Sequence, residues 1–426
     1  MHSNFDITLK NLSKIEGHTH LDVQVRNKKV INCKLKISEN KRFFTQAILG
    51  KNFNEVPFTM SRICGTCSSA HVLCSIEAIE KALNIKVSEQ TYLLRNLLIN
   101  AGHLRDHAMH LYFFCLPDLF NKDSVLDFSE KEHEWIHDGF DVKEAGNFLS
   151  TIIGGRAVHP PNAVIGGFLK FPEKNEIEEA IKKLGNIRKR ITKLIDLFYN
   201  APDNFERKTN YVALVNNDYN FLKGIIKTAY GTLIPEEKYG EHFQRVVLPY
   251  STATAFEWES REYMVGALAR LNLNKKNLNK RTVKDAEKYL KIFPSACIFR
   301  NNLAQAIEML HETDNSIDIL KNLKKIKNET PIKPEIKKGK GIGVVEAPRG
   351  TLYYHLELDN KGIVTYANLC IPTQQNIIHI EKSIAGYIEK NLSKQIDELT
   401  KEVEKLIRAY DPCMSCATHF LKINWS

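Results

Sequence analysis

Two Cys-x-x-Cys pairs, Cys64/Cys67 and Cys413/Cys416, stand 349 residues apart near opposite ends of a 426-residue chain, and each has a histidine close behind it, His71 and His419. Two intervening residues let both sulfurs of a pair turn toward one ion. Gly65 allows the tight backbone that this requires, and a helix N-terminus together with a metal favours the thiolate. Four soft thiolates select zinc, iron-sulfur or nickel-type chemistry over magnesium or calcium. A structural tetrahedral zinc is the commonest fate of two such pairs. Zinc ribbons, however, close loops of about 15 to 20 residues between pairs. Here the site would staple two distant ends of a large protein, which suits a buried cofactor at the centre of the fold. A thioredoxin-like redox role needs only one such motif. Cys33, Cys74, Cys115, Cys297 and Cys370 lack paired spacing and read as small buried hydrophobes. His71 reads either as a packed core histidine or as a donor to a ligand sulfur.

The elements that must position these residues follow from periodicity. Thr19 to Val25 and Val30 to Ile37 alternate apolar and polar residues across Asn27-Lys28-Lys29, predicting a β-hairpin. Helical spacing from Ser69 to Leu83, directly after Cys67, puts the first pair at a helix N-terminus. A second helix is expected from Gln90 to about Phe114. Pro172 opens a long amphipathic helix carrying Ile177, Leu184, Ile187, Ile191, Leu194 and Phe198 on one face. Gly343 to Tyr366 reads as a hairpin turning at Asp359-Asn360-Lys361-Gly362. A last helix over about Asn376 to Ala409 delivers the chain to Asp411-Pro412, where Pro412 stops it.

With 43% apolar and 26% charged residues the chain can bury a large core, and disorder is excluded. The net charge of +10 would suggest nucleic acid if it were spread over a face. Eight lysines and only two acids, Glu329 and Glu335, fall between Lys321 and Lys340, without interleaved aromatics, so the surplus reads as a solvated loop. No apolar run approaches the roughly 18 residues needed to span a bilayer, and Met1 to Lys10 has no signal pattern. Cytoplasmic residence and reduced thiols are expected.

The two cysteine motifs, Arg62-Ile63-Cys64-Gly65-Thr66-Cys67 to His71 and Asp411-Pro412-Cys413-Met414-Ser415-Cys416 to His419, resemble the paired signatures of the nickel-iron hydrogenase large subunit. Further segments are similar in the right order: Lys14-Ile15-Glu16-Gly17-His18, Gly154 to Pro160, Tyr263 to Arg270, Glu346-Ala347-Pro348-Arg349-Gly350 and Pro372 to Asn376. The likeness runs from Lys14 to His419 and looks most like the cytosolic soluble group. It implies that all four cysteines hold nickel, that Cys67 and Cys416 also bridge to an iron carrying carbon monoxide and cyanide, and that Cys64 and Cys413 are terminal on nickel. The implied reaction is reversible heterolysis of dihydrogen. By the same resemblance Glu16 is a proton relay, Arg349 lies over the metals with Asp118 and Asp411 as its outer carboxylates, and Pro348 and Thr373 surround the iron diatomics.

At one position the chain departs from the family pattern: Thr45, after Phe43-Phe44, stands where many relatives place a metal-binding glutamate. A hydroxyl is a poorer hard-cation ligand than a carboxylate, which bears on a magnesium or iron(II) site near His419. Lys14 in place of an arginine is a milder change. Seven residues follow His419, where the family's maturation endopeptidase cuts, so the mature chain is expected to end there. No cysteine set remains for iron-sulfur clusters, so an iron-sulfur small subunit and further electron-carrier subunits are the implied partners.

The expected fold is α+β, mainly α: a central bundle of long helices, small β-hairpin or sheet regions near both ends, and termini converging on a buried metal site. The expected segments are a β-rich 1–60, a helical core 61–320, a Lys-rich loop 321–342, a β-hairpin region 343–375, a C-terminal helix with the second motif over 376–419, and a cleaved extension 420–426. Two other readings stand beside this one. A four-thiolate zinc protein would hold zinc and no nickel. A cofactor-less relative in a respiratory complex would be expected to lack the cysteines, and all four are present.

Overall fold

The computed structural model describes residues 4–40, 43–323 and 326–418; His419 and the extension after it lie outside them. At the N-terminal end β1 (Phe5–Leu9), β2 (Thr19–Arg26) and β3 (Lys29–Ile37) form an antiparallel sheet in that order. The turn is Asn27-Lys28, both in the left-handed region, as the hairpin reading required. Leu21, Val23, Val25, Leu35 and Ile37 face the core, so the alternation in sequence is the alternation in burial.

The first cysteine motif opens α1 (Ser68–Leu83), with Cys67 as its N-cap residue. Next comes α2 (Glu89–Ala108), capped by the Ser88 side chain, which accepts from the Thr91 N–H. The run continues not as α-helix but as a π-helical stretch, Met109–Cys115. The long amphipathic helix forms as α4 (Lys174–Tyr199), and α3 (His133–Gly154) and α6 (Arg300–Asn322) complete a four-helix bundle with α2, with α5 (Ala267–Asn274) beside it. Ala180, Leu184, Ile187, Ile191, Leu194, Ile195 and Phe198 of α4 are buried, the predicted stripe.

The middle of the chain also contains strands that periodicity did not reveal. A four-stranded sheet contains β4 (Asn210–Val215), β5 (Ile225–Thr228), β6 (Leu233–Ile234) and β7 (Tyr263–Met264), in the order β7-β4-β5-β6, with β7 parallel to β4. All six residues of β4 are buried, so its two-sided burial erased the alternation that would mark a strand.

Toward the C-terminus the predicted hairpin is a three-stranded meander of β8 (Gly339–Ala347), β9 (Gly350–Leu358) and β10 (Val364–Cys370). Its extra strand begins inside the Lys-rich stretch; the rest of that stretch's described part is largely exposed and irregular. Gly339, Gly341 and Gly343 of β8 lie against the carbonyls of Ala82, Ala78 and Cys74, spaced four residues apart on α1. Any β-carbon there would collide with helix backbone, and this close seat fixes the helix that presents Cys67. The last helix is two: α7 (Pro372–Lys390) and α8 (Ile396–Ala409). Asn391 ends α7 because its N–H turns back to the Ile388 carbonyl. The observed architecture, mainly helical with small sheets, is the expected class.

Candidate metal centre

The four motif cysteines meet. Their sulfurs all lie within 4.8 Å of one another, and all four residues are buried. Cys64 Sγ stands 3.6 Å from Cys413 Sγ and Cys67 Sγ 3.3 Å from Cys416 Sγ, so each residue of one motif faces its counterpart in the other. All nine cysteines are free thiols. Hydrogen bonds from Cys413, Cys416 and Cys67 hold Cys64 well below the ordinary thiol range, while burial pushes Cys413 and Cys416 up. Four crowded sulfurs form a soft donor set that a thiophilic cation such as nickel completes.

The N-terminal segment closes the site. Glu16 pairs with Cys413 in a parallel bridge, the Met414 N–H donates to the Glu16 carbonyl at 2.9 Å, and the Glu16 carboxylate accepts from the Ser415 N–H at 3.1 Å. The same carboxylate oxygen lies 3.0 Å from Cys413 Sγ. Burial, and then the negative Cys64, raise the carboxyl above its ordinary range. Gly17 follows with φ of +84°, and a β-carbon there would press on Met414 and Ser415. Only glycine lets the two chain ends approach this closely.

Arg349 sits in the turn between β8 and β9. It forks onto Asp106 at 2.7 and 3.1 Å and reaches Asp411 at 2.9 Å. With Ala347, Leu352, Ile371, Pro372 and Thr373 it lines a small cavity over the sulfurs. Asp411 holds a left-handed backbone, φ +50°, and its other oxygen accepts from the Gln305 amide at 2.9 Å. The expected partner Asp118 is corrected to Asp106, which the last turn of α2 aims at the guanidinium. Asp118 lies beyond the π-helical stretch and instead pairs with Lys14 at 2.7 Å and with Arg408. There it ties the Glu16 segment to the end of α8, and Arg408 also donates to the Ser13 carbonyl.

His71 lies in α1, its Nε2 3.8 Å from Cys416 Sγ and its Nδ1 hydrogen-bonded to the Tyr354 hydroxyl at 2.7 Å. Burial drops it to about 4, so the ring is neutral. The Thr373 hydroxyl accepts from the Cys413 N–H at 3.0 Å and keeps its own hydrogen to donate. Pro348 is not among the lining residues; its carbonyl accepts from Arg270 at 2.9 Å.

Arg105, which the sequence reading missed, carries the first motif's loop: its guanidinium donates to the carbonyls of Gly65, Thr66 and Ala157. Every residue from Leu94 to Ala108 is buried, so the Arg105-Asp106 pair must be matched, but no local pattern in the sequence names its partners. Thr45 shares a cavity with Gln46, Asn368 and Gln374, and Gln374 donates to the Ala417 carbonyl. That cavity holds the Arg245 guanidinium, bonded to Asn368 and the Leu369 carbonyl, and no carboxylate. Those described residues do not fit a divalent cation.

A buried four-thiolate centre joining both ends of a mainly helical fold defines a metalloprotein of a narrow class. The nickel-dependent hydrogenase family model matches residues 42–138 and 232–419. The chain is 32% identical to sulfhydrogenase 1 subunit alpha of Pyrococcus furiosus over 98% of each chain. It is 27% identical to the subunit beta of the NAD-reducing hydrogenase HoxS of Cupriavidus necator, over 97% of this chain and 95% of that one. The solved NAD+-reducing [NiFe]-hydrogenase in its H2-reduced state superposes with a TM-score of 0.87 at 24% identity, covering 98% of this chain and all of that one. The chain belongs to the nickel-dependent hydrogenase large-subunit family. It is an oxidoreductase whose relatives are subunits of multisubunit hydrogenases, and no helix among its described residues is long and apolar enough to cross a membrane.

Proposed function

We propose that this chain cleaves dihydrogen heterolytically and reversibly, yielding protons and electrons, with nickel held by Cys64, Cys67, Cys413 and Cys416. Cys67 and Cys416 would hold, besides nickel, an iron carrying carbon monoxide and cyanide. The observation that carries the reading is the convergence of four buried sulfurs beneath an arginine-lined cavity. When bound, the nickel-iron pair supplies the redox-active Lewis acid at which the dihydrogen bond is polarised.

The chain's own groups then have defined work. Glu16, in contact with Cys413 Sγ, takes the proton from that sulfur and passes it outward. Arg349, locked between Asp106 and Asp411, keeps a fixed positive charge over the cavity without needing to reorganise. The Thr373 hydroxyl, which accepts from the Cys413 N–H, would have its own hydrogen free to donate to a cyanide nitrogen. His71, neutral and fixed by Tyr354, orients against Cys416. Asp118 acts at one remove by holding the Glu16 segment in place.

Electrons leave to an iron-sulfur small subunit, because no cysteine besides the four lies in a described metal-binding group. Further electron-carrier subunits complete the assembly. Nine free thiols support a cytoplasmic setting. A maturation endopeptidase removes the seven residues after His419. No magnesium or iron(II) ion is assigned near Thr45, given the guanidinium there. Infrared spectroscopy of the nickel-loaded protein tests the central reading. Bands from iron-bound carbon monoxide and cyanide are expected, and their absence from a matured sample would overturn it.

A further inference from the structure

Behind the Arg349 turn, α2 and α6 bring a second set of donors together in the dry interior. His103 and His107 are one turn apart on α2, and Glu308 and Glu312 one turn apart on α6; spacing of four residues places each pair on one helix face. One donor atom from each lies within 4.8 Å of the others, and all four side chains are buried. His103 Nδ1 is 3.4 Å from Glu312 Oε1, and His107 Nε2, hydrogen-bonded to Glu308 Oε2 at 3.2 Å, is 3.9 Å from Glu312 Oε1. Glu308 Oε1 also accepts from the Tyr219 hydroxyl at 2.8 Å, so a bound ion would take the place of the His107 hydrogen.

Glu312 is the unsatisfied member. It is fully buried, and neither carboxylate oxygen has a hydrogen-bond donor. His103 cannot supply one, because its Nε2 faces the Glu346 carbonyl at 2.9 Å and must carry the ring hydrogen, leaving a bare lone pair on Nδ1 toward Glu312. Two acceptors face each other at 3.4 Å. The charges are also unbalanced: Glu308, Glu312 and Glu346 together face Arg270, which forks onto Glu308 at 2.7 Å on both oxygens and bonds Glu346 at 2.8 Å. Three carboxyl groups converge on one guanidinium, a surplus of acceptors that a bound cation would offset.

We propose that His103, His107, Glu308 and Glu312 bind a zinc ion, separate from the four-cysteine centre. Two imidazole nitrogens and two carboxylate oxygens buried together are a zinc donor set. Tetrahedral ligands about 2.1 Å from zinc stand about 3.4 Å apart, close to the 3.4 and 3.2 Å of two of the pairs here. The His103 ring has the outer hydrogen-bond partner that metal-bound imidazoles use to fix their tautomer. The ion locks α2 to α6. Through Glu308 it steadies Arg270, which donates to the Ala347 and Pro348 carbonyls at 3.0 and 2.9 Å and so holds the turn presenting Arg349.

Elemental analysis and zinc K-edge absorption on the nickel-loaded complex, purified without added metal, test this. One zinc per chain is expected, with four nitrogen or oxygen neighbours, imidazole outer-shell scattering and no sulfur. Glu312→Gln and His103→Phe should each lower zinc more than tenfold with nickel unchanged. Wild-type protein without zinc, or with zinc in a sulfur shell, overturns the proposal. So does a protonated-carboxyl infrared band that Glu312→Gln abolishes, since a proton would then fill the gap. Should both variants fail to fold, the wild-type spectrum decides alone.

Discussion

At the scale of single residues, the centre depends on groups that cannot be exchanged for others of the same charge. Arg349 serves Asp106 and Asp411 at once through a planar fork. Lysine keeps the charge and loses that geometry. Arg349→Lys should retain nickel and lose about 100-fold or more in hydrogen uptake; normal uptake at full nickel occupancy would remove its assigned role. Glu16→Gln keeps an oxygen for the Ser415 N–H but cannot take a proton, so hydrogen-deuterium exchange should fall by about 10²-fold or more with metal content preserved. Exchange at the wild-type rate would place the relay elsewhere. The cysteines were legible because motif spacing named them, and Glu16, Arg349, Asp411 and Thr373 because the family resemblance did; each lies at or beside the sulfur cluster. Asp106 was not, because only the path of α2 past Arg349 distinguishes it from Asp118.

Among the elements, the seat of α1 on β8 is what places Cys67. Gly341→Ala forces a methyl against the Ala78 carbonyl, and a cost of about 1–3 kcal/mol is expected in chemical unfolding. An unchanged midpoint would mean that the strand can shift away. On α6, burial lowers His311 to about 4, and its ring accepts from the Asn279 N–H and meets the Tyr219 carbonyl. A folded-state value below the unfolded one near 6.5 means that this contribution is complete above pH 6.5 and drains away as the pH falls toward 4. The urea midpoint should fall over that window, and less steeply in His311→Asn; parallel slopes would show that the ring does not govern it. The hairpin at Asn27-Lys28 and the α4 stripe were readable because one face of each is wet. β4 was not, because both of its faces are dry.

For the whole molecule, the centre exists only where both ends of the chain meet. Asp118 joins Lys14 to Arg408 there, and Glu16 pairs with Cys413. A tail beyond His419 extends from the segment that supplies two of the four sulfurs. Mass spectrometry of nickel-loaded protein should therefore find a chain ending at His419. A mature, active chain retaining Ser426 would count against processing.

Residue type and local spacing determined the four soft donors, their placement at helix starts and the alternating strands, since these depend on neighbours a few positions away. That Asp106 meets Arg349, which guanidinium carries the cysteine loop, and the pairing of His103 and His107 with Glu308 and Glu312 were decided by tertiary packing alone. Each of those contacts joins residues far apart in the chain, and burial leaves a charged group no choice but the partner that the fold brings to it.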